Sequence, residues 1–392
     1  METIDQVEED ETEGKNIRVI PRNTFSLVTD LFHIHGKVGE GTFSSVFLAT
    51  LKSSNGSKKF ALKHLVPTRH PEKIERELQC MQQIGGKDYV VGVDLCLRDL
   101  GTVVFVMPYM RHDKFSEYVQ DMSIQETRDY MKALLTAVRR VHKFNIIHRD
   151  IKPSNFLYDR KTKRYLLVDF GLAQEYKPEV KVKENRLEKT GLVSVKRKRS
   201  DENSLNVCRS SGKKLSEDKC YCFGKPRICS ICSSRPEQTA PRAGTPGFRP
   251  PEVLLKYPGQ TPAIDVWACG VMMLCILSGT QPFFHSPDDC SALAEITTIF
   301  GSKRMQLCAQ KLGKKLIFSD NIEGVDIVSL CQKLQKRNKG LLNGTDPTVD
   351  VKVPPDIQFP KEAYHLLIRL LDVDYNTRIT AEQALEHPFL KF

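Results

Sequence analysis

Apolar residues change their spacing several times along this chain, and each change marks an element. Val103-Val104-Phe105-Val106-Met107 is an unbroken apolar run of strand length, the pattern of a strand buried on both faces. Phe60-Ala61-Leu62-Lys63 and Tyr165-Leu166-Leu167-Val168 read as further short strands. From Val38 to Leu48 the pattern is strand, tight turn, strand, with Gly39 and Gly41 at the turn. The period becomes helical at Ile74, Leu78 and Met81, spaced i, i+4 and i+7. It does so again over 125–144, where Met131, Leu134, Leu135 and Val138 make one stripe. A shorter helical stretch covers 115–120.

In three places the patterning fails. Residues 1–30 carry Glu2, Asp5, Glu8, Glu9, Asp10, Glu11 and Glu13 with few apolar anchors, and read as a disordered acidic arm; order begins near Leu31-Phe32-His33-Ile34. A polar insert runs over about 176–240, its first part to about 217 rich in Lys, Arg, Ser and Glu. A second polar insert or long loop covers 332–358.

Composition is that of an enzyme-sized globular chain: 392 residues, 40% hydrophobic, 27% charged, long enough for two lobes. The formal net charge of +11 favours acidic partners, nucleic acid or protein. There is no N-terminal apolar region of signal-peptide type and no run long enough to span a bilayer, so no membrane partner is expected and the twelve cysteines are expected to be mostly reduced. Four of them, Cys220, Cys222, Cys229 and Cys232, fall in the insert as Cys-x-Cys and Cys-x-x-Cys, flanked by Gly224 and Pro226. This has the composition of a closed structural Zn²⁺ site, which would pin the insert; surface thiols are the alternative. Lys196-Arg197-Lys198-Arg199 suits nuclear import, or is a solvated basic run.

The chemistry centres on His148-Arg149-Asp150-Ile151-Lys152-Pro153-Ser154-Asn155, followed after one short strand by Asp169-Phe170-Gly171. Phosphoryl transfer to a hydroxyl needs a carboxylate to orient and deprotonate the acceptor, the role that suits Asp150. It needs hard oxygen ligands for Mg²⁺, which Asn155 and Asp169 offer, and a cation such as Lys152 to neutralise the transferring group. The loop Val38-Gly39-Glu40-Gly41-Thr42-Phe43-Ser44-Ser45-Val46 lets backbone lie over phosphates where a Cβ would obstruct it.

These segments together resemble the protein kinases, over about 30–392. The resemblance implies an α+β, bilobal protein kinase fold with a small β-rich N-lobe (31–107), a hinge (108–111) and a large helical C-lobe (112–392), bearing the zinc-type insert in its activation segment. It makes Lys63 the residue on the α/β-phosphates of ATP and Glu77 its ion-pair partner, with Glu75 the rival. Val38, Val46, Ala61 and Leu157 would enclose the nucleotide, as would Met107, which is core packing as well, and the backbone of Pro108, Tyr109 and Met110. Kinases usually place a third glycine where Ser44 stands. About eighty residues separate Asp169-Phe170-Gly171 from Pro250-Pro251-Glu252, far more than is typical, and Pro250 replaces the usual Ala. Thr245 matches the threonine that bonds near the base in serine/threonine kinases, or is a proline-directed phosphosite. Arg242 and Arg249 flank it and would fork onto an acidic residue after the phosphoacceptor, unless a structural carboxylate takes them up. Asp265 resembles the aspartate that fixes the catalytic-loop backbone, and Arg378 the partner of Glu252.

A narrower similarity, in Gly39 to Val46, Lys152 to Tyr158, Val168 to Gln174 and Pro241 to Arg249, is to the cell-division-cycle-seven kinases. It implies a nuclear serine/threonine kinase that needs a regulatory activator subunit and acts on acidic protein substrates, the replicative mini-chromosome-maintenance helicase included, with any chromatin association indirect. A pseudokinase scaffold is disfavoured because Lys63, Glu77, Asp150, Asn155 and Asp169 are all present. A nucleic-acid module lacks an aromatic-rich binding face.

Overall fold

The computed structural model describes residues 26–41, 44–53, 58–65, 71–99, 102–177, 244–338, 340 and 358–391. The chain divides into two compact units, Met1–Tyr176 with Ala240–Phe392 and Lys177–Thr239; apart from Lys177, every described residue lies in the first.

Helix α1 (Ser26–Leu31) leads into β1 (Phe32–Gly41), β2 (Ser44–Leu51) and β3 (Lys59–Leu65); helix α2 (Pro71–Gln83) precedes β4 (Leu95–Asp99) and β5 (Thr102–Pro108). The five strands form one antiparallel sheet in the order β1-β2-β3-β5-β4. The apolar run of β5 is buried throughout except at Pro108, as a central strand requires. Its two faces feed different cores. Val104 and Val106 pack with Phe32, Ala49, Phe60 and Leu62, while Val103, Phe105 and Met107 join the main core, the period-2 alternation of a strand. Val28 of α1 is buried in the first of these clusters, so ordered structure begins before Leu31 and residues 26–30 do not belong to a disordered arm.

Helices dominate from there. They are α3 (Phe115–Tyr118), α4 (Ile124–Lys143), α5 (Pro251–Leu254), α6 (Ala263–Ser278), α7 (Asp289–Phe300), α8 (Ser302–Lys311), α9 (Ile327–Asn338), α10 (Lys361–Leu370), α11 (Ala381–Leu385) and α12 (Pro388–Lys391). The short strands β6 (Ile146–Ile147), β7 (Phe156–Asp159), β8 (Arg164–Leu167) and β9 (Gln174–Glu175) form two small sheets, β6 with β9 and β7 with β8. Helix α4 starts on Ser123, whose hydroxyl accepts from the Glu126 amide, and ends on Arg140, His142 and Lys143, cations placed at the negative end of the helix dipole. Helix α6 is buried from Ile264 to Ser278; a Cβ on Gly270 would lie 2.8 Å from Leu371 Cδ2, so glycine permits the close approach of the segment after α10. Residues 332–338 continue α9 as regular helix, which shortens the second polar stretch from its N-terminal side. Among the described residues no helix is long and apolar enough to cross a membrane.

Candidate active site

Between the sheet and the helical part lies a cleft of ≈ 520 Å³, the size of a small-molecule site. All the sequence-selected nucleotide residues within the described part line it: Val38, Gly39, Glu40, Gly41, Ser44, Val46, Ala61, Lys63, Met107, Pro108, Tyr109, Met110 and Leu157. Glu77, Lys152, Asn155 and Asp169 line it too. Thr42, Phe43, Arg242 and the four clustered cysteines lie outside the described residues.

Strand β3 points Lys63 into the cleft, and α2 sets Glu77 opposite with no exposed surface. Lys63 Nζ lies 2.5 Å from Glu77 Oε1 and 2.7 Å from Asp169 Oδ1. Burial pushes the Lys63 ammonium down, but the two carboxylates outweigh it and hold the group above the ordinary lysine value. Burial likewise acts to raise the Asp169 carboxyl, while Lys63 and the Gly171 amide, 3.1 Å from Oδ1, hold it well below the carboxylate range. Asp169 is therefore ionised at any physiological pH. Glu75 faces outward, accepting from Gln79 Nε2 at 3.2 Å, which separates it from this cluster.

Asp150 sits in a second cluster. Its Oδ1 accepts from Thr245 Oγ1 at 2.7 Å; its Oδ2 accepts from Asn155 Nδ2 at 2.9 Å and lies 2.9 Å from Lys152 Nζ. Lys152 Nζ also donates to Thr245 Oγ1 at 2.8 Å. Both Asn155 amide hydrogens face Asp150, one on its backbone carbonyl at 2.9 Å, so the amide oxygen is the end turned elsewhere. Thr245 stands 95 positions from Asp150 in sequence, yet only the fold brings its hydroxyl onto the carboxylate.

The catalytic loop hangs from α6. Fully buried Asp265 accepts from the amides of His148 at 2.8 Å and Arg149 at 2.7 Å, and from His142 Nε2 at 2.9 Å. Burial acts to raise this carboxyl, and these bonds bring it below its usual value. At the far end Glu252 and Arg378 form a buried two-armed ion pair, 2.7 and 3.0 Å.

Arg249 is taken up within the chain. Its guanidinium donates to the Gly244 carbonyl and to Asp289, so the structural-carboxylate alternative describes it and the expected substrate contact does not. The sequence also passed over Met81, Val91, Asp113 and Leu166, which line the cleft. Met81 was visible as the third member of the α2 stripe, but its reach into the cleft depends on the placement of α2 against the sheet. Asp289 and Gln174, the partners of Arg249 and Arg149, carry no local signal.

A protein kinase domain model matches residues 32–190 and 223–390. The chain is 34% identical to the human Cell division cycle 7-related protein kinase, over 93% of this chain and 90% of that protein. It is 33% identical to Probable cell division control protein 7 homolog 1 of Encephalitozoon cuniculi, over 90% of each. To the Cell cycle serine/threonine-protein kinase hsk1 of Schizosaccharomyces pombe it is 31% identical, over 94% of this chain and 74% of that protein. With a kinase model spanning most of its length and relatives of this kind along nearly all of it, the chain belongs to the protein kinase family and, within it, to the Cdc7-like serine/threonine kinases.

Proposed function

We propose that this chain is the catalytic subunit of a nuclear kinase that phosphorylates acid-flanked Ser and Thr in replication proteins, the mini-chromosome-maintenance helicase among them, once a regulatory subunit has switched it on. The observation that carries the chemistry is the convergence of Asp150, Lys152, Asn155 and Thr245 beside the Lys63, Glu77 and Asp169 cluster. ATP, when bound, supplies the γ-phosphoryl group. Lys63 holds its phosphates, and the Met110 amide is the hinge donor for an adenine edge, since Pro108 has no N–H and the Tyr109 amide donates to Lys59 O at 3.2 Å. Mg²⁺ fits the donor set: Asp169 is kept ionised, and Asn155 has its amide nitrogen committed to Asp150 and its oxygen to offer. Asp150 orients the acceptor hydroxyl and takes its proton, while Lys152 neutralises the charge that develops.

Asp150→Asn and Asp169→Asn should each abolish phosphoryl transfer, with ATP binding largely kept in the first. Substantial turnover by either purified variant would sink the assignment of roles. Activation would act on α2: the Lys63–Glu77 pair, closed at 2.5 Å in this structure, needs the helix swung inward, and a partner packed on it would raise the population of that state. The isolated chain is then expected to be nearly inert, and full turnover by the purified monomer would overturn the need for a partner. The names of the relatives support a role in the cell cycle, and the replication role rests on the resemblance of the motifs to the cell-division-cycle-seven kinases; nuclear residence follows the basic tetrad, and imaging of a tagged chain in its own cells with and without Lys196 to Arg199 tests it. The four insert cysteines are proposed to hold one structural Zn²⁺.

A further inference from the structure

Arg249 uses all three guanidinium nitrogens inside the chain. Nε and Nη2 donate to the Gly244 carbonyl at 2.9 and 2.6 Å, and Nη1 donates to Asp289 Oδ1 at 2.5 Å, in the first turn of α7. Arg249 and Asp289 are 17% and 14% exposed, so solvent screens this charge-assisted fork only in part. The carbonyl it grips is not an ordinary one. Gly244 O, the Thr245 amide and the Thr245 Cα belong to one planar peptide unit, so fixing that oxygen restrains the position of the Thr245 Cα from which the side chain departs. On the other side Gly244 is pressed against the catalytic loop: it has φ +94°, and a Cβ there would stand 2.9 Å from the Arg149 carbonyl. The peptide before Thr245 is thus held between the Arg149 backbone and the Arg249 guanidinium. One residue on, the Thr245 hydroxyl touches Asp150 Oδ1 at 2.7 Å and Lys152 Nζ at 2.8 Å.

We infer that Arg249 and Asp289 form a positioning clamp that holds Thr245, and through its hydroxyl the Asp150 carboxylate and the Lys152 ammonium, in the geometry needed for transfer. The inference rests on the assignment of Asp150 as the base. It gives Arg249 a role in turnover rather than in choosing the residue after the phosphoacceptor, and it makes α7 part of the support of the base, through two side chains and one peptide plane. A guanidinium is needed, because an ammonium at the same place keeps the charge opposite Asp289 and loses the fork on Gly244 O.

The test uses the full chain, affinity-tagged and purified from its own cells so that its partners accompany it, with ATP and an acceptor protein. Arg249→Lys should lower kcat by roughly 10- to 100-fold, the size of loss expected from a misplaced catalytic group. The KM for ATP should stay within about twofold, because the nucleotide contacts are untouched. In a Thr245→Val background, where the hydroxyl link is already cut, Arg249→Lys should cost less than about threefold more, a non-additivity that a merely structural tie would not produce. Hydrogen exchange of the peptide 244–249 should quicken in Arg249→Lys while β3 and β5 stay as they are. Asp289→Asn, which keeps the side-chain shape, should lower kcat in the same direction by less and serves if Arg249→Lys folds poorly. Wild-type kcat in both variants, or losses that add fully to that of Thr245→Val, would overturn the clamp. Turnover by Asp150→Asn in the same preparation would instead overturn the base assignment, so the two failures are told apart.

Discussion

Replacing buried Arg378 by Met should strongly destabilise the chain. Arg378 and Glu252 are 0% and 2% exposed, joined by two bonds of 2.7 and 3.0 Å, and the guanidinium also donates to the carbonyls of Ala263 and Asp372, each at 2.8 Å. It lies 5.1 Å from the Trp267 ring, and with both side chains buried bulk solvent does not reach the charge that is left behind. Removing one partner of such a pair costs about 3–5 kcal/mol, because the remaining charge is buried without compensation. Two carbonyls lose charged donors as well, which places this case in the upper part of that range. A chain of 392 residues loses about 1.2 °C per kcal/mol, so the midpoint should fall by roughly 5–6 °C, with a matching drop in urea midpoint. The double variant Glu252→Gln with Arg378→Met should recover more than about half of the loss, since neutralising both partners removes the uncompensated charge. Differential scanning fluorimetry and urea titration of the three variants decide it. A fall of less than about 2 °C in Arg378→Met, or a double variant as unstable as the sum of the singles, would refute the reasoning.

The purified protein should hold about one zinc per chain, released by Cys220→Ser or Cys229→Ser; elemental analysis finding none in protein prepared without chelator refutes this. Peptides with Glu or phosphoserine after the acceptor should be preferred over Ala, Pro or Lys, and the preference should vanish in Arg242→Ala, whereas Arg249→Lys should slow all peptides alike; a preference indifferent to Arg242 would count against it. His387 is buried, and with His365 at 2.7 Å and Arg369 nearby its imidazole sits below the usual value, Glu362 opposing only in part. Its unfolded form takes up a proton that the folded form resists, so stability present above about pH 6.5 is lost as pH falls below it. The midpoint of His387→Gln should drop less than that of the unaltered chain between pH 7.5 and 5.5, and an equal drop would refute the assignment.

Legibility in the sequence followed the range of the forces involved. The β5 run and the α2 stripe are local patterns, and each appears as an element where the spacing puts it, while Gly39 and Gly41 lie within the end of β1, paired with Val46 and Ser44. The cleft residues were readable because motif spacing fixes which end of a strand or loop a side chain occupies. What escaped was long-range or weakly patterned. Helix α1 is short, and its buried Val28 packs in a cluster with Phe60, Leu62, Val104 and Val106, which are distant in sequence. Residues 332–338 look polar because α9 buries a narrow face, with Ile327 and Cys331 inside and charged residues outside. Arg249 was misassigned because a guanidinium next to a substrate segment shows its charge in the sequence but not its partner, and Asp289 lies forty positions away.

The same distinction explains why the catalytic loop depends on a residue so far from it. Arg149 and Asp169 adopt left-handed backbone, φ 69° and 68°, on either side of the cleft chemistry. Each such conformation in a non-glycine residue costs about 1–3 kcal/mol and persists only where surrounding bonds over-determine it. For Arg149 those bonds come from Asp265, which takes the two successive amides of His148 and Arg149 on its two carboxylate oxygens. A neutral Asn at 265 would present an N–H to one of those amides, donor against donor. The carboxylate is therefore needed as a double acceptor, and its burial in α6, beneath the loop, is what keeps the Asp150 backbone where Thr245 and Lys152 can reach its side chain. For Asp169 the corresponding restraint is electrostatic: Lys63 and the Gly171 amide both converge on Oδ1. Strain in the two loops is thus held by two different devices, a buried acceptor on the helical side and a cation from the sheet on the other. The second is tied directly to α2, because Glu77 shares Lys63 with Asp169.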